Sequence, residues 1–274
     1  MTTTTDRPDL PGPRKGLPII YKPGGNLRPV RDAEAAASIA PPKASELVAA
    51  SVVRDIISAD LKVGDRLPAE SDMLTQYSVS RESLREGLRL LEVQGLISIR
   101  RGPGGGPYVA PVNASYLART ASMYYTLSGA TYSEVFDTWL DLEPLIAAKV
   151  ARIADRRRKT AALAPFLDDH QPADEHEHFE ELNTFHSVLA ALAGNRVTTL
   201  LVQSVTHIVV DHVVEDMDPL EIPHLDSDHH AIAVAVIDGR ARKARDLMHD
   251  HIAAIVEHYR TQHPDHMETP IAWR

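Results

Sequence analysis

The sequence predicts a mainly helical chain in two domains: a small three-helix unit closed by a β-hairpin, then an all-α antiparallel bundle of six or seven helices. Three observations predict it. At 274 residues the chain exceeds the usual size of one compact core, while 43% apolar and 24% charged residues are ordinary globular composition. Charge is partitioned: six basic against four acidic residues in 1–41, nine against nine in 42–111, and fourteen against twenty-five in 112–274. Histidine is partitioned more sharply, with all fourteen between His170 and His266. The halves therefore carry different chemistry. The net charge of −9 belongs to the second half and does not exclude nucleic-acid binding by the first, because attraction to phosphate depends on potential within a Debye length of about 8 to 10 Å.

Residues 1–41 are rich in Thr, Pro, Gly and charge, lack an apolar period, and read as a flexible tail. From Lys43 to Ser58, Leu47, Val48, Val52, Val53, Ile56 and Ile57 follow helical spacing. Leu67-Pro68-Ala69-Glu70-Ser71-Asp72 places a proline near a helix start and acids in the first turn, predicting a short helix to about Tyr77. Ser78-Val79-Ser80 is the turn. The next helix, Arg81 to about Gln94, has Ser80 as N-cap, a leucine stripe at Leu84, Leu88 and Leu91, and an arginine stripe at Arg81, Arg85 and Arg89. Leu96 to Ile99 and Pro107 to Val109 alternate around Arg100-Arg101 and a loop of glycines from Gly102 to Gly106, which predicts a two-stranded hairpin with a basic tip. Helix, helix, turn, helix, hairpin is the order of a winged helix-turn-helix, here residues 42–111.

A connector with a first helix occupies 112–130. The helical domain then runs over 131–265 and a tail over 266–274. The helices predicted are Tyr116 to Leu127, Thr131 to Arg156, Thr160 to Asp168, Asp174 to Ala193, Val197 to Met217, Asp226 to Ile237 and Ala241 to His263, punctuated by Gly194, Pro223 and Gly239. No cysteine is present, so disulfides and thiolate metal sites are excluded and any metal must be held by His, carboxylate or amide groups. The N-terminus has no signal-peptide core and no stretch reaches the roughly 18 to 20 apolar residues of a membrane span, so the expectation is a soluble, cytoplasmic protein away from membranes.

Two constellations carry chemistry. The N-terminus of a helix lying in the major groove brings side chains to base edges, while nearby hydroxyls and arginines hold phosphate. Ser80, Arg81, Ser83 and Arg85 stand in those places, and Arg100 and Arg101 flank the hairpin tip. In the second half, His229 and His251 lie ten residues before and twelve after Gly239, so at helical rise they stand about 15 and 18 Å from that turn. His186, eight residues before Gly194, stands about 12 Å from its own turn. Antiparallel packing brings all three to mid-height, where three imidazoles suit a divalent ion such as Zn or Ni.

The run Leu67-Pro68-Ala69-Glu70, then Val79-Ser80-Arg81-Glu82-Ser83-Leu84-Arg85-Glu86-Gly87-Leu88-Arg89-Leu90-Leu91-Glu92, then Gly95-Leu96-Ile97 and the glycine-rich wing, resembles the GntR family of bacterial transcription regulators over about residues 43–110. The resemblance implies contacts to operator DNA by Arg81, Ser83 and Arg85, helped by Ser80 and by Arg101 and Gly102 in the wing. Ser71 stands where relatives often carry arginine. Phe185-His186, Ala193-Gly194-Asn195, Asp228-His229 and Ala244, Met248, His251 resemble the FCD ligand-sensing domain of the FadR-like branch over about 128–263. That implies a homodimeric helical domain, a divalent metal on His186, His229 and His251, and an organic-acid effector in a pocket including Trp139, Glu143 and Asn195.

Two positions depart from that pattern. Leu182 replaces the usual Asp or Asn four residues before the first histidine, leaving Asn183 or His207 as a fourth ligand. Trp139 replaces an arginine four residues before Glu143, which points to a less acidic or more apolar effector. The resulting expectation is a repressor released from a palindromic operator by a small metabolite. A metal-sensing regulator, or a metallohydrolase carrying a DNA-targeting domain, remains as an alternative.

Overall fold

The computed structural model describes residues 41–167, 175–213 and 225–273; the N-terminal segment read as a flexible tail lies outside them. The first unit of structure opens with α1 (Ala44–Ser58), α2 (Glu70–Tyr77) and α3 (Arg81–Val93), followed by β1 (Ile97–Arg100) and β2 (Gly106–Val109). The leucine stripe of α3, with Leu84, Leu88 and Leu91, is buried against Val48 and Val52 of α1 and Met73 of α2. Gly87 sets the closeness of α1 to α3, since a Cβ there would lie 2.8 Å from both the Ser45 carbonyl and Val48 Cγ1. Ser78, at φ 54°, ends α2 by sending its N–H to the Leu74 carbonyl, and the Ser80 hydroxyl accepts from Ser83 N at 3.1 Å to open α3.

The hairpin pairs Ile97 with Val109 through to Arg100 with Gly106. The sequence reading missed its third element. The segment before α2 adds to β2, with Gly64 N bonded to Val109 O, Val109 N to Asp65 O and Leu67 N to Pro107 O, all at 2.9 Å. One bridge, Arg66 to Tyr108, is too short to leave an alternating apolar pattern.

Seven α-helices follow among the described residues: α4 (Ala114–Ser128), α5 (Tyr132–Ala151), α6 (Arg156–Leu163), α7 (Glu175–Leu192), α8 (Arg196–Val213), α9 (Leu225–Ile237) and α10 (Ala241–Gln262). α5 and α10 run together along most of their length, α7 and α9 complete the core, and α8 packs on both α4 and α5. Phe136, Val150, Phe185, Leu189, Ile232 and Ile252 form its interior. A capping box fixes the start of α5, Thr131 accepting from Glu134 N while the Glu134 side chain accepts from Thr131 N.

One reading of this half is corrected. The helix expected to reach Arg156 ends at Ala151, because the Asp155 carboxylate accepts from Arg158 N at 2.9 Å and starts α6 there, four residues earlier than expected. The buried Lys159 ammonium then donates to the carbonyls of Ala151 and Val236, at 3.1 and 2.8 Å, tying the last turn of α5 to that of α9. The C-terminal segment, read as a tail, packs back on the bundle. Tyr132 N and Ser133 N donate to Thr269 O and Met267 O, Ile271 N donates to Ala130 O, and Met267 and Ile271 are buried. Among the described residues no helix is long and apolar enough to cross a membrane.

Candidate functional site

On the first unit, Arg81 and Arg85 project from the opening turns of α3 and are about two-thirds exposed or more. Both turn towards Glu70 at the start of α2. Its carboxylate accepts from Arg85 Nε at 3.1 Å and from a terminal nitrogen at 3.4 Å, while Arg81 stands 3.7 Å away. Sequence reasoning took Glu70 as a first-turn acid that suits the helix dipole and missed this pairing, which crosses a turn at a spacing no local rule anticipates. Ser80 and Ser83 are joined through their hydroxyls at 3.0 Å beside the cap. In the wing, the Arg100 guanidinium lies 4.1 Å over the Tyr108 ring, Arg101 is exposed, and Gly102, at φ 89°, has open space around it. Tyr108 OH donates to Gly104 O and Arg66 to Gly105 O, so the wing tip is held from both sides.

In the bundle, α7, α9 and α10 bring His186, His229 and His251 together, buried to 5%, 4% and 2% exposure. One nitrogen from each lies within 4.8 Å of the others. The Nε2 atoms of His229 and His251 are 3.1 Å apart, close to the about 3.3 Å separating two ligands of a tetrahedral ion bonded at about 2.0 to 2.1 Å. The outward nitrogens face carboxylates: His251 Nδ1 is 3.3 Å from Asp228 Oδ2, and His186 Nδ1 is 3.4 Å from Glu143 Oε2. The Asp228 contact is a hydrogen bond that orients the His251 ring for ligation, while Glu143 faces His186 without an aligned bond. Burial holds the His251 imidazole below its ordinary pKa, assisted by His186 and opposed by Asp228 and Glu143. Neutral imidazole is the ligating form. The donor set therefore fits a divalent metal. Phe185 stacks on His229 with centroids 4.1 Å apart.

Other anticipated residues divide. Trp139 is buried with its ring 5.6 Å from that of His186, and Glu143 is fully buried, one turn further along α5. His207, half-buried on α8, is not among the converging histidines, and the side chains of Leu182 and Asn183 lie outside the described residues. Asn195 is exposed, and its carboxamide oxygen accepts from Val197 N and Thr198 N, capping α8. Asp228 was visible only as a neighbour of His229, yet it faces His251 across the α9–α10 hairpin.

The model for bacterial regulatory proteins of the gntR family matches residues 44–106, and that for the FCD domain matches residues 134–254, which together span both constellations. The chain belongs to the GntR family. Its relatives include the Glc operon transcriptional activator of Escherichia coli K12, 26% identical over 77% of this chain and 86% of that protein. Another is the HTH-type transcriptional regulator LutR of Bacillus subtilis, 23% identical over 73% of this chain and 94% of that one. A solved Streptococcus agalactiae GntR protein shares the fold at TM-score 0.56 and 24% identity, covering 78% of this chain and 99% of its own. This GntR protein is accordingly a transcriptional regulator with an FCD ligand-binding domain. The relatives are DNA-binding regulators and not enzymes, which removes the metallohydrolase alternative.

Proposed function

We propose that the protein is a dimeric repressor that binds a palindromic operator through α3 and the wing and is released by a small metabolite bound above a divalent metal on His186, His229 and His251. The observation that carries this reading is the convergence of three buried histidines, two of them backed by carboxylates, in the same chain as a winged helix-turn-helix. When bound, the ion, Zn or Ni by ligand type, supplies a Lewis-acidic anchor for an oxygen of the effector. The chain's own residues do the rest. Asp228 holds the His251 ring, Glu143 places a carboxylate beside His186, and Phe185 with Trp139 walls the histidines with apolar surface.

In the DNA-binding half, Arg81, Ser83 and Arg85 read base edges or hold phosphate, Ser80 caps the reading helix, and Arg100, Arg101 and Gly102 place the wing on the backbone. Exposed apolar side chains support the dimer: Leu117, Tyr124 and Leu127 on α4, and Val197 and Leu201 on α8, lie on two helices that pack together. A two-fold axis through such a surface matches an operator of two half-sites.

Operator binding by the full chain, loaded with Zn or stripped by chelator and then exposed to metabolite libraries, tests the reading. It requires at least one organic compound that lowers operator affinity of the metal-loaded protein. A response to the ion alone, indifferent to every compound, supports the metal-sensor alternative instead.

A further inference from the structure

Basic charge is as unevenly spread over the bundle as histidine is over the chain. Residues 112–274 hold fourteen basic against twenty-five acidic side chains, yet nine of the basic ones stand exposed at one end of the bundle. Lys149 and Arg152 close α5, and Arg156, Arg157 and Arg158 open α6. Arg240, Arg242, Lys243 and Arg245 surround the turn from α9 into α10. Contacts join these segments: Asp238 accepts from Arg156 at 3.0 Å and from Arg240 at 2.9 Å, and the buried Lys159 ties Ala151 to Val236. Within 149–158 and 238–246 the only acids are Asp155, Asp238 and Asp246. All three are already engaged, Asp155 in capping α6, Asp238 between Arg156 and Arg240, and Asp246 between Arg242 and Arg245. Lys149, Arg152, Arg157, Arg158 and Lys243 enter no ion pair among the described residues. Like charges gathered this way repel one another, so the surface suits an anion that spans it.

Its composition points to which anion. Seven of the nine are arginine, whose planar fork matches phosphate oxygens in pairs. A protein partner is held by an apolar centre with charge at the rim, but no exposed large apolar side chain falls within the two segments. Interfaces with DNA are polar and positively charged, as this surface is. The path of the chain agrees. At 20 residues α5 is about 30 Å long, with the basic surface at its end and the C-terminal segment at its start. α4 finishes at that far start, where the Thr126 hydroxyl donates to Ile271 O. It begins at mid-height: Ala114 O accepts from the Ser204 hydroxyl, half a turn along α8 from Thr206, which bonds Glu143 in the middle of α5. The DNA-binding half therefore joins by the end of α4 nearer the basic surface. That joint is tight, since a Cβ on Gly95 would collide with the Tyr116 ring of α4. We propose that the basic end of the bundle is a second DNA-contacting surface, which holds phosphates of the duplex flanking the operator while α3 and the wing hold the operator itself. It rests on reading α3 as the operator helix and is independent of metal and effector.

The test compares the full chain with the triple variant Arg157→Gln, Arg158→Gln, Lys243→Gln on two duplexes. One is the operator alone, selected from random DNA; the other carries about 15 base pairs of scrambled sequence, roughly 50 Å, on each side. The triple variant is expected to bind the bare operator within about twofold of the native chain and the flanked one about tenfold or more weakly at low salt, with the slope of log affinity against log salt on the flanked duplex reduced by about 2 to 3. Lys149→Gln with Arg152→Gln, also on the exposed surface, is expected to repeat the pattern with a smaller change of slope, and it carries the comparison if the triple variant lowers the urea midpoint. Arg85→Ala is expected to lose operator preference on both duplexes, so failure of α3 and failure of this surface are read apart. Unchanged affinity of both basic-surface variants for the flanked duplex overturns the proposal, and so do equal losses on the two duplexes, which would make the charges a distant influence on the operator site. Two further outcomes assign the surface to another anion and equally overturn it, each with flanked-operator binding unchanged. One is a second duplex bridged by the native chain and not by the variant; the other is salt-sensitive association with an acidic protein or a further copy of this chain that the variant loses.

Discussion

Replacing Arg85 with alanine separates the reading of bases from attraction to phosphate. The guanidinium is held on the exposed face of α3 by Glu70, with two nitrogens at 3.1 and 3.4 Å. An arginine fork on a guanine edge contributes about 1 to 3 kcal/mol of discrimination, which is about 5- to 150-fold in operator affinity. On random duplex the same change removes one charge, and the slope of log affinity against log salt falls by about 1. The Glu70 pair is solvent-exposed and contributes about 1 kcal/mol at most, so its loss accounts for about fivefold and no more. Glu70→Gln is therefore expected to act oppositely on random DNA, raising affinity by removing a negative charge beside two arginines, while reducing the operator-to-random ratio. Anisotropy titrations on an operator selected from random duplexes, and on a scrambled control at several salt concentrations, measure both quantities. Equal losses on the two DNAs for Arg85→Ala would reduce it to a phosphate contact, and near-wild-type affinity on both would refute α3 as the reading helix.

Ser80→Ala removes the cap of α3 and is expected to cost about 1 kcal/mol by urea denaturation, with operator binding weakened through the helix start. An unchanged denaturation midpoint would contradict the cap. Leu127→Glu, on the exposed face of α4, is expected to turn a micromolar dimer into monomer in sedimentation without lowering thermal stability; a persistent dimer places the interface elsewhere. Metal-free protein should lose stability in acid. Burial lowers the His251 pKa in the folded state, so below the ordinary value of 6.5 the unfolded chain binds a proton that the folded chain refuses. Stability is therefore full above about pH 6.5 and falls as pH drops through the window down to the folded pKa. Denaturation midpoints should show this slope, His251→Gln should flatten it, and a slope unaffected by that substitution would assign the effect to other groups.

Much of this architecture was legible because its causes are local. The leucine stripe of α3, the Ser80 cap and the glycines around the wing each act within a few residues, and they fix the elements of the DNA-binding half. The three histidines were legible for a different reason: helical rise measured from Gly194 and Gly239 puts them at similar heights, and the residues around them resemble the FCD domain. What escaped depends on partners distant in sequence. The Glu70 pairing with Arg85, the addition of Gly64 to Leu67 onto β2, and Asp228 facing His251 rather than its neighbour all require the folded arrangement. The cap that Asn195 supplies to α8 also went unread, although Asn just ahead of a helix is a common cap. The α5–α6 break failed similarly, because Ile153 continues the apolar period while the Asp155 side chain takes the backbone N–H that starts the next helix.

Metal analysis tests the central claim most directly, on the full chain purified without an affinity tag or chelator, beside His186→Ala, His229→Ala and His251→Ala. The arrangement of the three rings predicts one divalent ion per chain in the native protein, or one taken up on incubation with Zn or Ni, and its loss in each variant with the helical fold intact by circular dichroism. Equal metal content in the native protein and all three variants, or no uptake by the native protein at any neutral pH, would contradict it.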